Sequence, residues 1–104
     1  MKPKLCVISG SRADYGLLRN VLLPLKKSKL LDSQFIVTGS HLSSKHGDTI
    51  QEIKEDEIRI NAEVEMLSED DSSVGIAESF SKGVDDITKT LKELNPDMIL
   101  VLGD

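Results

Sequence analysis

The sequence predicts an α/β protein built on a doubly wound parallel sheet. Short apolar runs alternate with amphipathic helical stretches along the whole chain, and the links between them are short. A strand-helix rhythm of this kind implies parallel pairing, right-handed crossovers and helices on both faces of the sheet. The expected strand order is 3-2-1-4, which makes the first and fourth strands neighbours that separate opposite winding directions.

Each element has its own signature. Lys4 to Ile8 reads as a short buried strand, ended by Ser9-Gly10-Ser11. Leu18, Val21, Leu22 and Leu25 follow at helical spacing. Pro24 lies inside that stripe and lacks the N–H a helix interior needs, so a kink or break is expected near Leu23. Ser33 to Gly39 reads as the second strand, and a polar loop with Gly47 leads to Asp48-Thr49-Ile50-Gln51-Glu52. Thr49 and Glu52 have capping-box spacing, so a short helix is expected to begin there. Ile58, Ile60, Ala62, Val64 and Met66 then alternate with Arg59, Asn61, Glu63 and Glu65, the period of a half-exposed strand, expected at a sheet edge where its charges discourage further pairing.

Beyond the acidic loop Ser68 to Ser73, which offers several N-caps, Ile76, Phe80, Val84, Ile87, Leu91 and Leu94 recur at spacings of 4, 4, 3, 4 and 3. They predict a long amphipathic helix. Asn95-Pro96 stops it, and Met98 to Leu102 forms a fourth strand whose unbroken apolar character is that of a strand covered on both faces.

Composition bounds the function. The chain has 104 residues, 18 acidic and 13 basic, for a net charge of −5, with 38% hydrophobic positions. That is one domain at most. The longest apolar runs are of four or five residues, too short for a bilayer span or a secretory signal, so a cytoplasmic protein without membrane contact is expected. One cysteine, Cys6, excludes an internal disulfide framework and a multi-cysteine zinc site, and its place in an apolar run reads as a core thiol. The acidic balance and only 3% aromatic residues argue against a nucleic-acid surface. The only basic cluster, Lys26, Lys27 and Lys29, suits a solvated helix end.

The polar residues that follow the strands converge on one edge. Ser9-Gly10-Ser11-Arg12 leaves the first strand, Gly39-Ser40-His41 the second and Gly103-Asp104 the fourth, so all three open into the crevice where open α/β sheets bind ligands. The segment Gly10 to Gly16 joins a strand to a helix and offers free backbone N–H groups, a positive helix end and an arginine, all suited to a phosphate. It lacks both G-x-G-x-x-G and G-K-[ST], which leaves a purely structural turn as the other reading. Arg12 is equally readable as a surface arginine paired with Asp14, His41 as a ring bonded to a neighbouring carbonyl, and Asp104 as a fraying last residue.

Four ordered blocks carry a resemblance. Gly10-Ser11-Arg12-Ala13-Asp14-Tyr15-Gly16-Leu17-Leu18, Thr38-Gly39-Ser40-His41-Leu42, Gly47-Asp48-Thr49, and Pro96-Asp97 leading to Gly103-Asp104 resemble the hydrolysing UDP-N-acetylglucosamine 2-epimerases of sialic-acid and related sugar biosynthesis. The Arg12-Ala13-Asp14-Tyr15 stretch departs from the Gly-Thr-Arg-Pro-Glu opening of the non-hydrolysing relatives. The resemblance implies a Rossmann-like domain within a two-domain glycosyltransferase-B-type fold. Residues 1–104 would be the N-terminal part of the first domain, with the second domain, which supplies most uridine contacts, absent from this chain.

The chemistry implied by the resemblance is elimination of UDP with loss of the C2 proton, then hydration of the glycal to give N-acetylmannosamine or a diacetamido analogue, with no cofactor. No carbonyl flanks the C2 proton, so UDP departure develops cationic character at C1, which calls for cations at the pyrophosphate and carboxylates near the ring. Carried over by position, Arg12 contacts the UDP phosphates, Asp104 is an acid/base carboxylate, and Gly16 stands where relatives place a UDP-touching serine, so that any contact there falls to backbone; His41 is the other candidate catalytic residue. Relatives form dimers or tetramers, which implies a homo-oligomer. A non-catalytic α/β nucleotide-binding module and a glycosyltransferase of the same architecture are the alternatives. A receiver domain is a poor version of the first alternative, since Ser9-Gly10-Ser11 stands where its carboxylate cluster belongs.

Overall fold

A computed structural model of the chain describes residues 2–38, 49–64 and 72–102. The elements run β1 (Lys4–Ser9), α1 (Arg12–Leu25), β2 (Asp32–Thr38), α2 (Thr49–Glu55), β3 (Ala62–Val64), α3 (Ser73–Leu94) and β4 (Met98–Val101). The strands form one sheet in the order β3-β2-β1-β4, and every neighbouring pair is parallel. This is the topology expected from the alternation of elements.

The alternation of side chains along the strands sorts the core onto the two faces of the sheet. On one face Val7, Phe35 and Val37 pack with Tyr15, Leu18 and Leu22 of α1 and with Ile53 of α2. On the other, Cys6, Ile36 and Val64 pack with Ile87, Leu91 and Leu94 of α3. Burial pushes the Cys6 thiol pKa up, which keeps it a neutral packing group.

Two sequence expectations about helices need correction or refinement. α1 passes Leu23 unbroken and ends at Leu25, with the Lys26 N–H bonded to the Leu22 carbonyl at 3.0 Å. Pro24 is tolerated because it is the last but one helical residue, so the single bond it forfeits, to the carbonyl of exposed Asn20, faces water. α3 is as long as its stripe predicts and stops as expected, at Asn95 in the left-handed region (φ 47°), whose N–H bonds to the Leu91 carbonyl at 2.8 Å. Its stripe is not buried throughout, however. Ile76, Phe80 and Val84 are exposed, the N-terminal half buries Gly75 and Gly83 instead, and Ile87, Leu91 and Leu94 pack on the sheet.

The alternating segment is also read differently by the fold. β3 is confined to Ala62–Val64, because the residues before it close α2. Glu57 adopts φ 57°, its N–H bonds to the Lys54 carbonyl at 3.0 Å, and the Ile58 N–H bonds to the Ile53 carbonyl at 3.3 Å. This is a Schellman ending, in which the apolar residue after the left-handed position packs back on the helix. Ile58 and Ile60 therefore join the α1/α2 face while Ala62 and Val64 join the α3 face, an arrangement no single continuous strand allows. Asn61 marks the crossing: its side-chain oxygen accepts the Phe35 N–H at 2.9 Å and its own N–H bonds to the Phe35 carbonyl at 2.8 Å. Met66 lies outside the described residues. β4, expected to be covered on both faces, is instead an edge with Met98, Ile99 and Val101 about half exposed.

The seam between α1 and the end of α2 is polar. The Tyr15 hydroxyl donates to Asp56. Arg19 grips the same carboxylate with two bonds, Nε to Oδ2 at 2.7 Å and Nη2 to Oδ1 at 3.0 Å. Lys26 Nζ donates to the Asp56 carbonyl at 2.7 Å. Hydrogen bonds from Arg19, then from Tyr15, hold the Asp56 carboxyl below its ordinary range. Burial, then the Asp56 carboxylate, raises the Tyr15 phenol above its ordinary 10.0. Tyr15→Phe is expected to cost about 1–2 kcal/mol at neutral pH, read as a fall in Tm of several degrees. The unfolded chain loses the phenolic proton above pH 10.0 while the folded chain keeps it, so the wild-type advantage shrinks as pH rises past that value. Thermal unfolding of both proteins across neutral and alkaline pH checks this; a gap that widens in alkali would contradict it.

Candidate functional site

Parallel strands bring the ends of β1, β2 and β4 to one edge of the sheet, and the best described part of that edge is the turn from β1 into α1. Ser11 is the N-cap of α1, in extended conformation (φ −157°, ψ 168°), and its Oγ accepts the Asp14 N–H at 3.2 Å. Asp14 Oδ2 accepts the Gly10 N–H in return at 3.3 Å, a reciprocal cap that fixes how the chain enters the helix. Ser9, fully buried at the end of β1, donates its hydroxyl to the Ser11 carbonyl at 3.4 Å. The turn is thus held by its own side chains before any ligand arrives.

Arg12 is the first residue of α1 and carries a largely solvent-exposed side chain. Its partner is not the neighbouring Asp14 of the simplest surface reading, since that carboxylate is engaged in the cap. Arg12 Nη2 instead meets Glu52 Oε1 of α2 at 2.9 Å. Gly16 lies in the second turn of α1, and a Cβ built there meets nothing within 4 Å, so the space above it is open. His41 and Asp104 lie outside the described residues, as do Gly39, Ser40 and Gly47-Asp48. β2 and β4 end at Thr38 and Val101, next to these segments.

Several residues at or near this edge were not singled out by spacing. Thr38, buried at the carboxyl end of β2, has a hydroxyl without a hydrogen-bond partner. Asp56 and Arg19 are 37 positions apart, and their pairing has no local signal. Glu52 was visible only as a capping residue. Among the described residues, no group of three or more His, Cys, Asp or Glu could hold a metal ion, and no helix is long and apolar enough to cross a membrane. A groove of about 280 Å³ bounded by Leu22, Leu25, Lys26, Asp32 and Phe35 lies where β2 begins, away from the crevice edge.

A four-stranded parallel sheet with helices on both faces and a capped, arginine-bearing turn at the β1/β4 switch point defines a Rossmann-like protein with an anion-suited crevice. Residues 24–104 match the sequence profile of UDP-N-acetylglucosamine 2-epimerase. The chain belongs to that family. It is 36% identical over 103 residues to the GDP/UDP-N,N'-diacetylbacillosamine 2-epimerase (hydrolyzing) of Campylobacter jejuni, covering 99% of this chain and 27% of the relative. It is 34% identical over 101 residues to the UDP-N,N'-diacetylbacillosamine 2-epimerase (hydrolyzing) of Legionella pneumophila, covering 97% and 27%. The whole chain superimposes on 27% of a crystal structure of UDP-N-acetylglucosamine 2-epimerase with a TM-score of 0.80 at 25% identity. The chain therefore spans about a quarter of the length of the relatives it matches.

Proposed function

We propose that this chain is the opening part of the first Rossmann-like domain of a two-domain, glycosyltransferase-B-type enzyme, a hydrolysing UDP-sugar 2-epimerase. The observation that carries the reading is the family match over residues 24–104, to which the β1–α1 turn adds an arginine at the crevice edge. The substrate class is a UDP-activated N-acetylated hexosamine. The identities of 36% and 34% to bacillosamine-type relatives favour the diacetamido sugar.

In this reading the C1–O bond to UDP breaks and the C2–H bond is lost, giving the glycal. Water then returns a hydroxyl to C1 and a proton to C2 on the opposite face. Arg12 neutralises the departing diphosphate, Asp104 exchanges the proton, and His41 assists it from the segment after β2. Any contact at Gly16 falls to backbone. No cofactor takes part. The protein acts in the cytoplasm as a homo-oligomer whose partner molecule is the UDP-sugar.

A full-length protein carrying this chain, assayed by coupled UDP release with UDP-N,N'-diacetylbacillosamine and UDP-N-acetylglucosamine, tests the reading. Turnover of either substrate to free UDP and the 2-epimeric sugar is expected, faster with the diacetamido sugar. Transfer of the sugar to an acceptor without inversion at C2 would favour a glycosyltransferase instead. Arg12→Gln is expected to weaken UDP binding about tenfold or more, the value of a charge-assisted phosphate contact.

A further inference from the structure

We propose that Glu52 is a placeholder anion: it occupies Arg12 in the ligand-free protein and yields that guanidinium to the diphosphate of the substrate. The inference rests on the reading above, in which Arg12 meets the UDP phosphates, and adds a residue that sets the affinity of that contact.

The contrast between two ion pairs carries the argument. Among the described residues, two ion pairs link α1 to the α2 region. At one end Arg19 holds Asp56 with two hydrogen bonds at 2.7 and 3.0 Å, and the Asp56 side chain is only 16% exposed. Tyr15 bonds the same carboxylate from the core, and Ile53 beside it is fully buried. That end fixes the position of α2. At the other end Arg12 and Glu52 make one N–O contact of 2.9 Å between side chains 71% and 42% exposed. A single exposed contact of this kind contributes little to holding helices together, because water screens it and two long side chains lose freedom to make it. It does hold the guanidinium at the mouth of the crevice without satisfying most of its donors. A diphosphate offers more negative charge and bidentate geometry, so it outcompetes one carboxylate. The Gly10 N–H cannot play the same exchangeable part, since Asp14 belongs to the reciprocal cap that builds the turn.

Glu52 thus acts as a positioning residue whose removal helps binding, the opposite of what a structural contact does. In a full-length protein carrying this chain, Glu52→Gln is expected to tighten UDP about two- to fivefold by isothermal titration calorimetry, the affinity equivalent of an exposed ion pair. Its thermal unfolding should stay close to that of the parent protein, because Asp56 and Ile53 keep α2 in place. Glu52→Ala should repeat the tightening, and in an Arg12→Gln background Glu52→Gln should change nothing. Unchanged or weaker UDP binding in both Glu52 variants, with Arg12→Gln still impaired, would overturn the inference and leave the phosphate role of Arg12 standing. Unimpaired UDP binding in Arg12→Gln would overturn both.

Discussion

Replacing Asp104 by asparagine in a full-length protein carrying this chain is expected to lower kcat for UDP release by about 10²–10⁴-fold, the range for loss of a positioned general acid or base. UDP affinity should remain nearly unchanged. The two side chains have almost the same size and both accept hydrogen bonds, but only the carboxyl group exchanges a proton near neutral pH. A loss confined to kcat means that an interaction made in the transition state has gone. The sequence position supports the proposal: β4 is the neighbour of β1 and ends at Val101, three positions before Asp104 in the chain, at the edge where Arg12 begins α1. Near-parental turnover in the variant would remove Asp104 from the chemistry and move the search to carboxylates elsewhere in the longer chain.

The second large effect concerns the 104-residue chain on its own. It is expected to release no UDP from a UDP-sugar, because in the proposed two-domain arrangement it supplies only one wall of the cleft, and to self-associate through β4. The register pairs Ile99 and Val101 with Cys6 and Ile8, on the face that α3 covers over β1 to β3. Over β4 that face is bare, with Ile99 50% and Val101 59% exposed, and the outer edge of the strand has no neighbour among the described residues. An apolar strand with free N–H and C=O groups is a template for another strand. Sedimentation should show an average mass that rises with concentration, and the double replacement Ile99→Lys, Val101→Lys should return it towards the monomer value. A parent chain that sediments as a monomer at every concentration and unfolds cooperatively at high temperature would show that β4 needs no cover.

The comparison of sequence with structure separates patterns that report local geometry from patterns that report cover. Strand order, helix number and the stop at Asn95 were legible because alternation, spacing and capping are local properties of the chain. The alternation from Ile58 to Val64 misled because two different demands share one period: a Schellman contact at Ile58 and a strand face at Ala62 and Val64. The apolar run of β4 and the upper stripe of α3 promised burial that the described residues do not supply, since hydrophobicity records what a segment can bury and not what covers it. Of the candidate site, the capped turn and Arg12 could be found from the strand-turn-helix junction. Glu52 could not, because its pairing with Arg12 depends on how α2 is laid against α1, and that is set by Tyr15, Arg19 and Asp56 across a gap no spacing rule spans.

The uneven anchoring of α3 has a consequence for the crevice. Its C-terminal portion is nailed to the sheet by Ile87, Leu91 and Leu94, and Gln34 Nε2 clamps the Leu94 carbonyl at 2.9 Å. Its N-terminal half buries Gly75 and Gly83, each costing about 1 kcal/mol of helix propensity, and leaves Ile76, Phe80 and Val84 exposed. Because α3 runs from the end of β3 to the start of β4, that glycine-packed half starts from the same edge as Arg12. With little apolar contact in that half, it is the part of the helix from which opening is expected to start. The wall beside the β1–α1 turn is thus the end of α3 that buries only glycines, while the turn itself is held by its reciprocal cap.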